Sequence, residues 1–127
     1  MMDISKQIAY WKDGAAKDLD LAGRLLERER EVLYGLFFVH LALEKIIKAH
    51  VCKQTGEIPP RIHNLLSLAK LGKLELLQEQ MDFLGKMNLY NIQGRYPGME
   101  FPAPSLERAM QYFERAKEIT EWLIKQL

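Results

Sequence analysis

The longest apolar stretch of the chain lies between Val32 and Lys53, and its pattern changes halfway along. Leu33–Leu43 is apolar at almost every position, which is the pattern of a helix that is buried on all sides. Glu44, Lys45 and Lys48 then make the second half polar. We predict that Val32–Lys53 is the central helix of the fold. The change to charged residues is expected to mark the end of the core and the start of a site.

The residues before this stretch predict a helix that runs antiparallel to it. Apolar residues recur at helical spacing from Ile4 to about Glu29, and Asp3 or Ser5 is in position to cap the start. The charged segment Glu27–Glu31 forms a short join. Two long helices with so short a connection pack as antiparallel neighbours.

Turn and capping residues divide the rest of the chain into three more helices. Gly56 suits the left-handed end of the central helix, and Pro59–Pro60 cannot continue it. The predicted segments are a short helix at Leu65–Leu71 capped by Asn64, a helix at Leu74–Asn91, and a last helix that Ser105 caps and that runs to the C-terminus. No segment alternates with the period of a strand.

These elements predict an all-α fold. We expect an antiparallel up-and-down four-helix bundle with an additional short helix after the second helix. At this length the chain is expected to form a single helical domain over residues 1–127. Phe37, in the middle of the apolar run, is expected to lie in its core.

Composition narrows the class of protein. The 18 basic and 17 acidic residues are spread along the chain and give a net charge of +1, so no broad footprint for nucleic acid is evident, although a local basic pocket is compatible with them. Cys52 is the only cysteine, which excludes a disulfide framework and favours a reducing cytoplasm. The N-terminus is charged where a signal peptide is apolar, and Phe37–Leu43 is too short to span a bilayer. We expect a cytoplasmic protein with no membrane contact.

His40, Glu44 and Lys48 are spaced to share one face of the central helix, with Lys45 beside them. In one interpretation Lys45 and Lys48 bind a phosphate at the end of the core. In the other, Glu44 and Lys48 form a structural pair, and His40 is a hydrogen-bonded core residue. The second interpretation is favoured for Glu44 and His40.

A second group of candidates lies at the end of the fourth predicted helix. Asn88 and Asn91 continue an apolar stripe, so each needs a buried partner, which we expect at the polar end of the central helix. Arg95 offers a planar fork for a phosphate, and Tyr96 offers a ring to stack on a base. Alternatively, Arg95 ties its loop to Glu44 and Tyr96 fills the end of the bundle. Both interpretations stay open.

Arg61 and His63 precede the short helix, whose N-terminus favours anions. Capping and loop anchoring is the favoured alternative for them. His50 and Cys52 point to different sides of a helix, and the Glu-x-x-His pattern of di-iron bundles is absent. The chain also lacks a P-loop, a GxSxG motif and a Cys/His triad signature. We therefore predict no metal, no cofactor and no catalytic residue.

Three stretches together carry a family resemblance: FFVHLALEKIIKA (Phe37–Ala49), PPRIHNL (Pro59–Leu65) and NLYNIQGRYP (Asn88–Pro97). In this order and spacing they resemble the HEPN domain, and AAKDLDLAGRLLE looks like that family's opening. The resemblance implies a small helical bundle that often dimerises. It also implies, for many stand-alone members, a role as partner of a minimal nucleotidyltransferase.

Other members of that family are ribonucleases that carry an Arg followed, after four to six residues, by a His. Arg95 is the matching position here, but YPGMEFPAPS follows it and contains no His. None of the three histidines of the chain has an Arg at that spacing before it. This departure disfavours a ribonuclease toxin.

The predicted function is therefore a non-catalytic HEPN-type module that binds a nucleotide or another anion. It would form a homodimer and act as partner of a small nucleotidyltransferase in a toxin–antitoxin-like pair. A HEPN ribonuclease and a purely structural dimerisation module are the alternatives. The predicted ligand-binding residues are Lys45, Lys48, Arg61, His63, Asn91, Arg95 and Tyr96.

Overall fold

The computed structural model describes residues 3–93 and 102–127, with residues 92 and 93 as backbone only. This part of the chain contains five helices and no strand: α1 (Ile4–Glu27), α2 (Val32–Thr55), α3 (Leu65–Leu71), α4 (Gln78–Gln93) and α5 (Leu106–Lys125). The predicted all-α class is confirmed. No helix within the described ranges is long and apolar enough to cross a membrane.

Local capping signals set most of the helix ends. The Asn64 side chain accepts hydrogen bonds from the second and third backbone N–H groups of α3, and the Ser105 hydroxyl accepts one from the third N–H of α5, that of Arg108. Gly56 ends α2 in the left-handed conformation with φ of 72°. Asp3 caps α1 by accepting from the Lys6 N–H. These ends were predicted correctly because each cap is completed within a few residues of chain.

The predicted start of α4 at Leu74 is wrong, and the helix begins at Gln78. Lys73 adopts φ of 51°, which breaks the helical path, and the next four residues are not helical. Leu74 and Leu76 still pack against the core from this irregular segment. The Gln80 side chain then accepts from the Leu77 N–H at 2.8 Å, as in one half of a capping box.

All four other helices pack directly against α2. α1 also packs against α5, and α3 against α4. α4 and α5 meet through long side chains, with the Tyr112 ring 6.3 Å from both the Phe83 and Tyr90 rings. In this arrangement α2 occupies the middle of the molecule. The finer up-and-down order of a four-helix bundle stays a prediction.

Burial along α2 differs from the predicted pattern in both halves. In the first half, Leu36 and Val39 are fully buried, but Tyr34 is 62% exposed and Phe37 is only half-buried. The prediction that Phe37 belongs to the core is therefore wrong. In the second half, Ile46, Ile47, Ala49, Val51 and Cys52 are fully or nearly fully buried. The core continues beyond Glu44 because other elements reach this part of α2: Gly72, after α3, approaches His50 and Val51, and α5 contacts His50 through Leu123.

α1 and α2 approach each other closely at a glycine. A Cβ atom placed on Gly35 would lie 2.5 Å from Leu26 Cδ2 and 2.6 Å from Leu26 Cγ, and Leu26 is fully buried. Gly23 plays a milder version of this role between α1 and α5, where a Cβ would lie 3.0 Å from Phe113 Cζ. These small residues let the helices pack at short distance around the core.

Candidate functional site

A buried carboxylate organises the polar half of α2. Glu44 is only 4% exposed, and both of its carboxylate oxygens accept hydrogen bonds. Lys48 Nζ donates to Oε2 at 2.9 Å, and His63 Nδ1 donates to Oε1 at 3.0 Å. His40 Nδ1 lies 3.8 Å from the same Oε1. We refer to Glu44, Lys48, His63 and His40 as the Glu44 cluster.

Helical spacing brings three members of the cluster together, and the loop before α3 supplies the fourth. His40, Glu44 and Lys48 are separated by four residues each, so they lie along one face of α2. His40 Nε2 also donates to the His63 backbone carbonyl at 3.0 Å. Because a carbonyl and a carboxylate only accept, we infer that the protons lie on His40 Nε2 and on His63 Nδ1. α2 therefore holds this loop through both the backbone and the ring of His63.

Among the Lys and Arg residues that the structure describes, Lys48 is the most deeply buried, with 5% of its surface exposed. Its ammonium lies 5.2 Å from the centroid of the Trp11 ring on α1, in addition to its contact with Glu44. A carboxylate and an aromatic face together compensate the cost of burying this charge. The Glu44–Lys48 pair thus has the geometry of the structural interpretation.

His63 is the accessible edge of the cluster, since its side chain is 38% exposed. Lys48 Nζ and His63 Nδ1 both already have the Glu44 carboxylate as their acceptor. An external anion therefore has to compete with Glu44 for them. Such an exchange is easiest at His63, where one side of the ring already meets the surface.

Lys45 and Arg61 lie outside the Glu44 cluster. Lys45 Nζ forms an ion pair of 2.8 Å with Asp18 on α1, and its side chain remains 27% exposed. Arg61 is exposed, in the loop between α2 and α3. The N–H groups at the start of α3 are taken by protein groups, since Leu65 donates to Asn88 and the next two donate to Asn64.

The two asparagines of α4 differ in their surroundings. Asn88 Oδ1 accepts from the Leu65 N–H at 2.8 Å, and its Nδ2 donates to Asn64 Oδ1 at 3.3 Å. The expected partner at the polar end of α2 is thus wrong for Asn88, because the start of α3 satisfies it. Asn91 is half-buried, and its Oδ1 has no hydrogen-bond partner within the described ranges. The predicted Arg95 and Tyr96 lie outside the described residues.

The model of the HEPN domain matches residues 8–127, which is nearly the whole chain. This chain belongs to the HEPN domain family. No match is found among curated proteins or among solved structures. The resemblance seen in the sequence is confirmed. Membership of this family supports the interpretation of the chain as a module related to nucleotides or RNA.

Two contacts of this HEPN domain's site were missed in the sequence: the ion pair of Lys45 with Asp18 and the packing of Lys48 on Trp11. The short connection between α1 and α2 was the sequence feature that could have indicated both contacts. It places Leu26 opposite Gly35, and the same antiparallel register carries Asp18 and Trp11 to the level of the two lysines. The short connection predicts antiparallel neighbours, but the side-chain partners depended on how the two helices rotate about their axes.

A separate polar contact joins α2 to the end of α5 in the HEPN domain. His50 Nε2 donates to the Leu123 carbonyl at 2.8 Å, and Lys53 Nζ donates to the Gln126 carbonyl at 2.7 Å. These donors satisfy carbonyl groups at the negative end of α5. Burial lowers the pKa of His50, with Lys53 adding to the effect and the bond to Leu123 opposing it.

Cys52 is buried and is not part of a metal site among the described residues. Burial raises the pKa of Cys52, which keeps it protonated and unreactive at neutral pH. Within residues 3–93 and 102–127, no group of three or more His, Cys, Asp or Glu side chains is placed to hold a metal ion.

Proposed function

We propose that this HEPN domain is a non-catalytic module that binds a nucleotide or a related anion and acts as the partner of a small nucleotidyltransferase. The observation that carries the binding proposal is the Glu44 cluster. Lys48 and the partly exposed His63 converge on one buried carboxylate. The family membership supports a link to nucleotides or RNA.

In this proposal the ligand approaches from the loop between α2 and α3. Arg61 and His63 are exposed or partly exposed there, and a phosphate group would take the His63 ring as its donor. Lys48, which is buried, contributes its charge through the Glu44 cluster. Lys45, Asn91, Arg95 and Tyr96 complete the proposed set of ligand-binding residues.

Calorimetric titration with ATP, AMP and inorganic phosphate tests the site. Arg61→Ala, Lys48→Ala and Arg95→Ala are compared with wild type, and Lys17→Ala, an exposed lysine on α1, is the matched control. Loss of one charge-assisted contact should cost about 1.5–3 kcal/mol, which is roughly ten- to a hundredfold in affinity. Binding that none of the three variants weakens would place the site elsewhere.

A wild-type protein that binds none of these anions would leave the partner role as the leading function. That role has its own test in co-expression. The proposal expects a small nucleotidyltransferase in the adjacent reading frame, and expects its product to co-purify with this chain.

We further propose a homodimer, because large apolar side chains lie outside the core. Tyr34 and Trp122 are exposed, and Trp11 is half-buried. Sedimentation at micromolar concentration should give the mass of two chains. A monomer mass would contradict this part of the proposal.

A ribonuclease is the second candidate, and one observation favours it. The buried Glu44 carboxylate fixes the His63 ring through Nδ1 while part of the ring meets the surface. A histidine oriented by a carboxylate in this way is suited to general acid–base catalysis. The absence of the family's Arg-to-His spacing argues against it.

A further inference from the structure

Three adjoining depressions lie along the exposed side of α5. Among the described residues, α5 alone lines the first, the α3–α4 connection and the start of α4 also line the second, and α4 also lines the third. They measure about 720, 500 and 310 Å³, and Arg115 lines all three. Within the described residues α4 and α5 make no close backbone contact here and meet through side chains such as Phe83, Tyr112 and Arg115. A continuous shallow groove results. We call it the α4–α5 groove.

The groove is strongly acidic along its sides. Among the described residues, its lining has two cations, Lys86 and Arg115, and six carboxylates. The carboxylates are Glu75, Glu79, Asp82, Glu107, Glu114 and Glu118. Both cations are engaged by the protein. Lys86 lies over the Tyr112 ring, and Arg115 lies over the Phe83 ring and within 3.8 Å of Glu79. Within the described residues, the other five carboxylates form no ion pair.

The groove also exposes apolar side chains. Leu77 is 64% exposed at one end, beside Trp122, which is 39% exposed. Leu106 and Met110 are half-buried at the other end. Exposed apolar surface beside charges of one sign is typical of a site for another macromolecule. The concentration of negative charge contrasts with the net charge of +1 for the chain as a whole.

We propose that the α4–α5 groove docks a basic amphipathic helix of a partner protein. Apolar residues of that helix would lie over Leu106, Met110 and Leu77, while its Lys and Arg side chains pair with the carboxylates along both sides. From Leu106 to Trp122 the groove extends roughly 24 Å along α5, enough for about four turns of helix.

The negative charge of the groove favours a basic helix over nucleic acid and over a second copy of this chain. Nucleic acid carries phosphates that the six carboxylates repel. A second copy of this chain offers no matching surface on its longest exposed helix, because the outer face of α1 mixes Lys12 and Lys17 with Asp13 and Asp20. The groove proposal therefore assigns Trp122 to the groove and leaves the proposed homodimer to Tyr34 and Trp11. The proposal is independent of ligand binding at the Glu44 cluster, so either can fail without the other.

The test uses a fluorescein-labelled 18-residue peptide of Leu and Lys in helical period, with a peptide that has Glu at every Lys position as control. Fluorescence anisotropy should show binding of the basic peptide only. Glu114→Gln with Glu118→Gln should weaken it about tenfold, since two exposed ion pairs are lost. The matched control pair, Glu27→Gln with Glu29→Gln, removes two exposed carboxylates at and just after the C-terminal end of α1 that do not line the groove, and should leave the affinity unchanged.

Chemical-shift mapping of the same complex locates the peptide. Shifts confined to Met110, Tyr112, Phe83 and their neighbours support the groove. The proposal is overturned if the basic peptide does not bind, if both variant pairs weaken it equally, or if the shifts lie elsewhere. It also fails if Met110→Asp converts a wild-type dimer into a monomer, because a second copy then covers this face.

Discussion

Glu44 and His63 are 19 residues apart in sequence, yet the Glu44 carboxylate accepts a 3.0 Å hydrogen bond from His63 Nδ1. This contact ties the loop between α2 and α3 to the middle of the central helix. It also places a partly exposed imidazole beside a buried ion pair. The functional proposals and the stability of this region therefore depend on the same few side chains.

Lys48→Met should destabilise the fold by about 3 kcal/mol, because it leaves the buried Glu44 carboxylate without its cation. Glu44→Gln combined with Lys48→Met removes both charges and should recover a large part of the loss. Urea denaturation measures the free energy of unfolding of both variants. A double variant that is no more stable than Lys48→Met would show that charge burial is not the cause.

Gly35→Ala should destabilise the protein by about 1–3 kcal/mol, although alanine is the better helix former. The reason is the 2.5 Å approach of the added Cβ to Leu26 Cδ2 in the fully buried α1–α2 contact. Gly85→Ala is the matched control on α4, where the added Cβ meets Leu66 Cδ1 at 3.5 Å, an ordinary contact. Gly85→Ala should be neutral or stabilising, and thermal unfolding of the two variants compares them directly.

Leu36→Ala should cost about 2–5 kcal/mol, as for other fully buried leucines. Phe37→Ala, next to it in sequence, should cost less than about 2 kcal/mol because the ring is only half-buried. Chemical denaturation of the pair tests which side of α2 faces the core. A larger loss at Phe37 than at Leu36 would contradict the observed rotation of the helix.

Stability should fall as the pH is lowered through about 6.5, the pKa of an unperturbed histidine. Burial lowers the folded-state pKa of His50, so in this range the unfolded chain takes up a proton that the folded protein resists. The unfolded state then binds more protons, and the free energy of unfolding decreases on acidification.

His50→Gln isolates this contribution, since glutamine can still donate to the Leu123 carbonyl but does not titrate. The variant should show a shallower loss of stability between about pH 7 and pH 5 than wild type. Denaturation curves at several pH values give the comparison. Equal slopes for the two proteins would show that His50 does not contribute.

Purified protein should have no ribonuclease activity, because the histidine that the family motif places after the Arg is missing. The measurement is cleavage of a labelled RNA through successive purification steps. Activity that persists and disappears in His63→Ala would instead favour the Glu44–His63 pair as its source. Activity that disappears in Arg95→Ala would assign it to Arg95.

The sequence by itself determined the helical class, the family and most helix ends. The caps at Asn64, Ser105 and Gly56 are completed by neighbouring residues, so local sequence contains all the information they require. The start of α4 was missed because Leu74 and Leu76 continue an apolar pattern although Lys73 leaves the helical region. Periodicity alone does not distinguish a helix from an irregular segment that packs on the core.

Only the tertiary structure decided which side of α2 is buried and which partners its charges have. Sequence showed an apolar run followed by charges, but the packing of α1 and of the loop before α3 enclosed Lys48 and Glu44, while Tyr34 stayed exposed. The pairing of Lys45 with Asp18, and of Glu44 with His63, depends on how separate elements rotate and meet. That rotation is set by packing over the whole molecule, such as the Gly35–Leu26 contact, rather than by any local pattern.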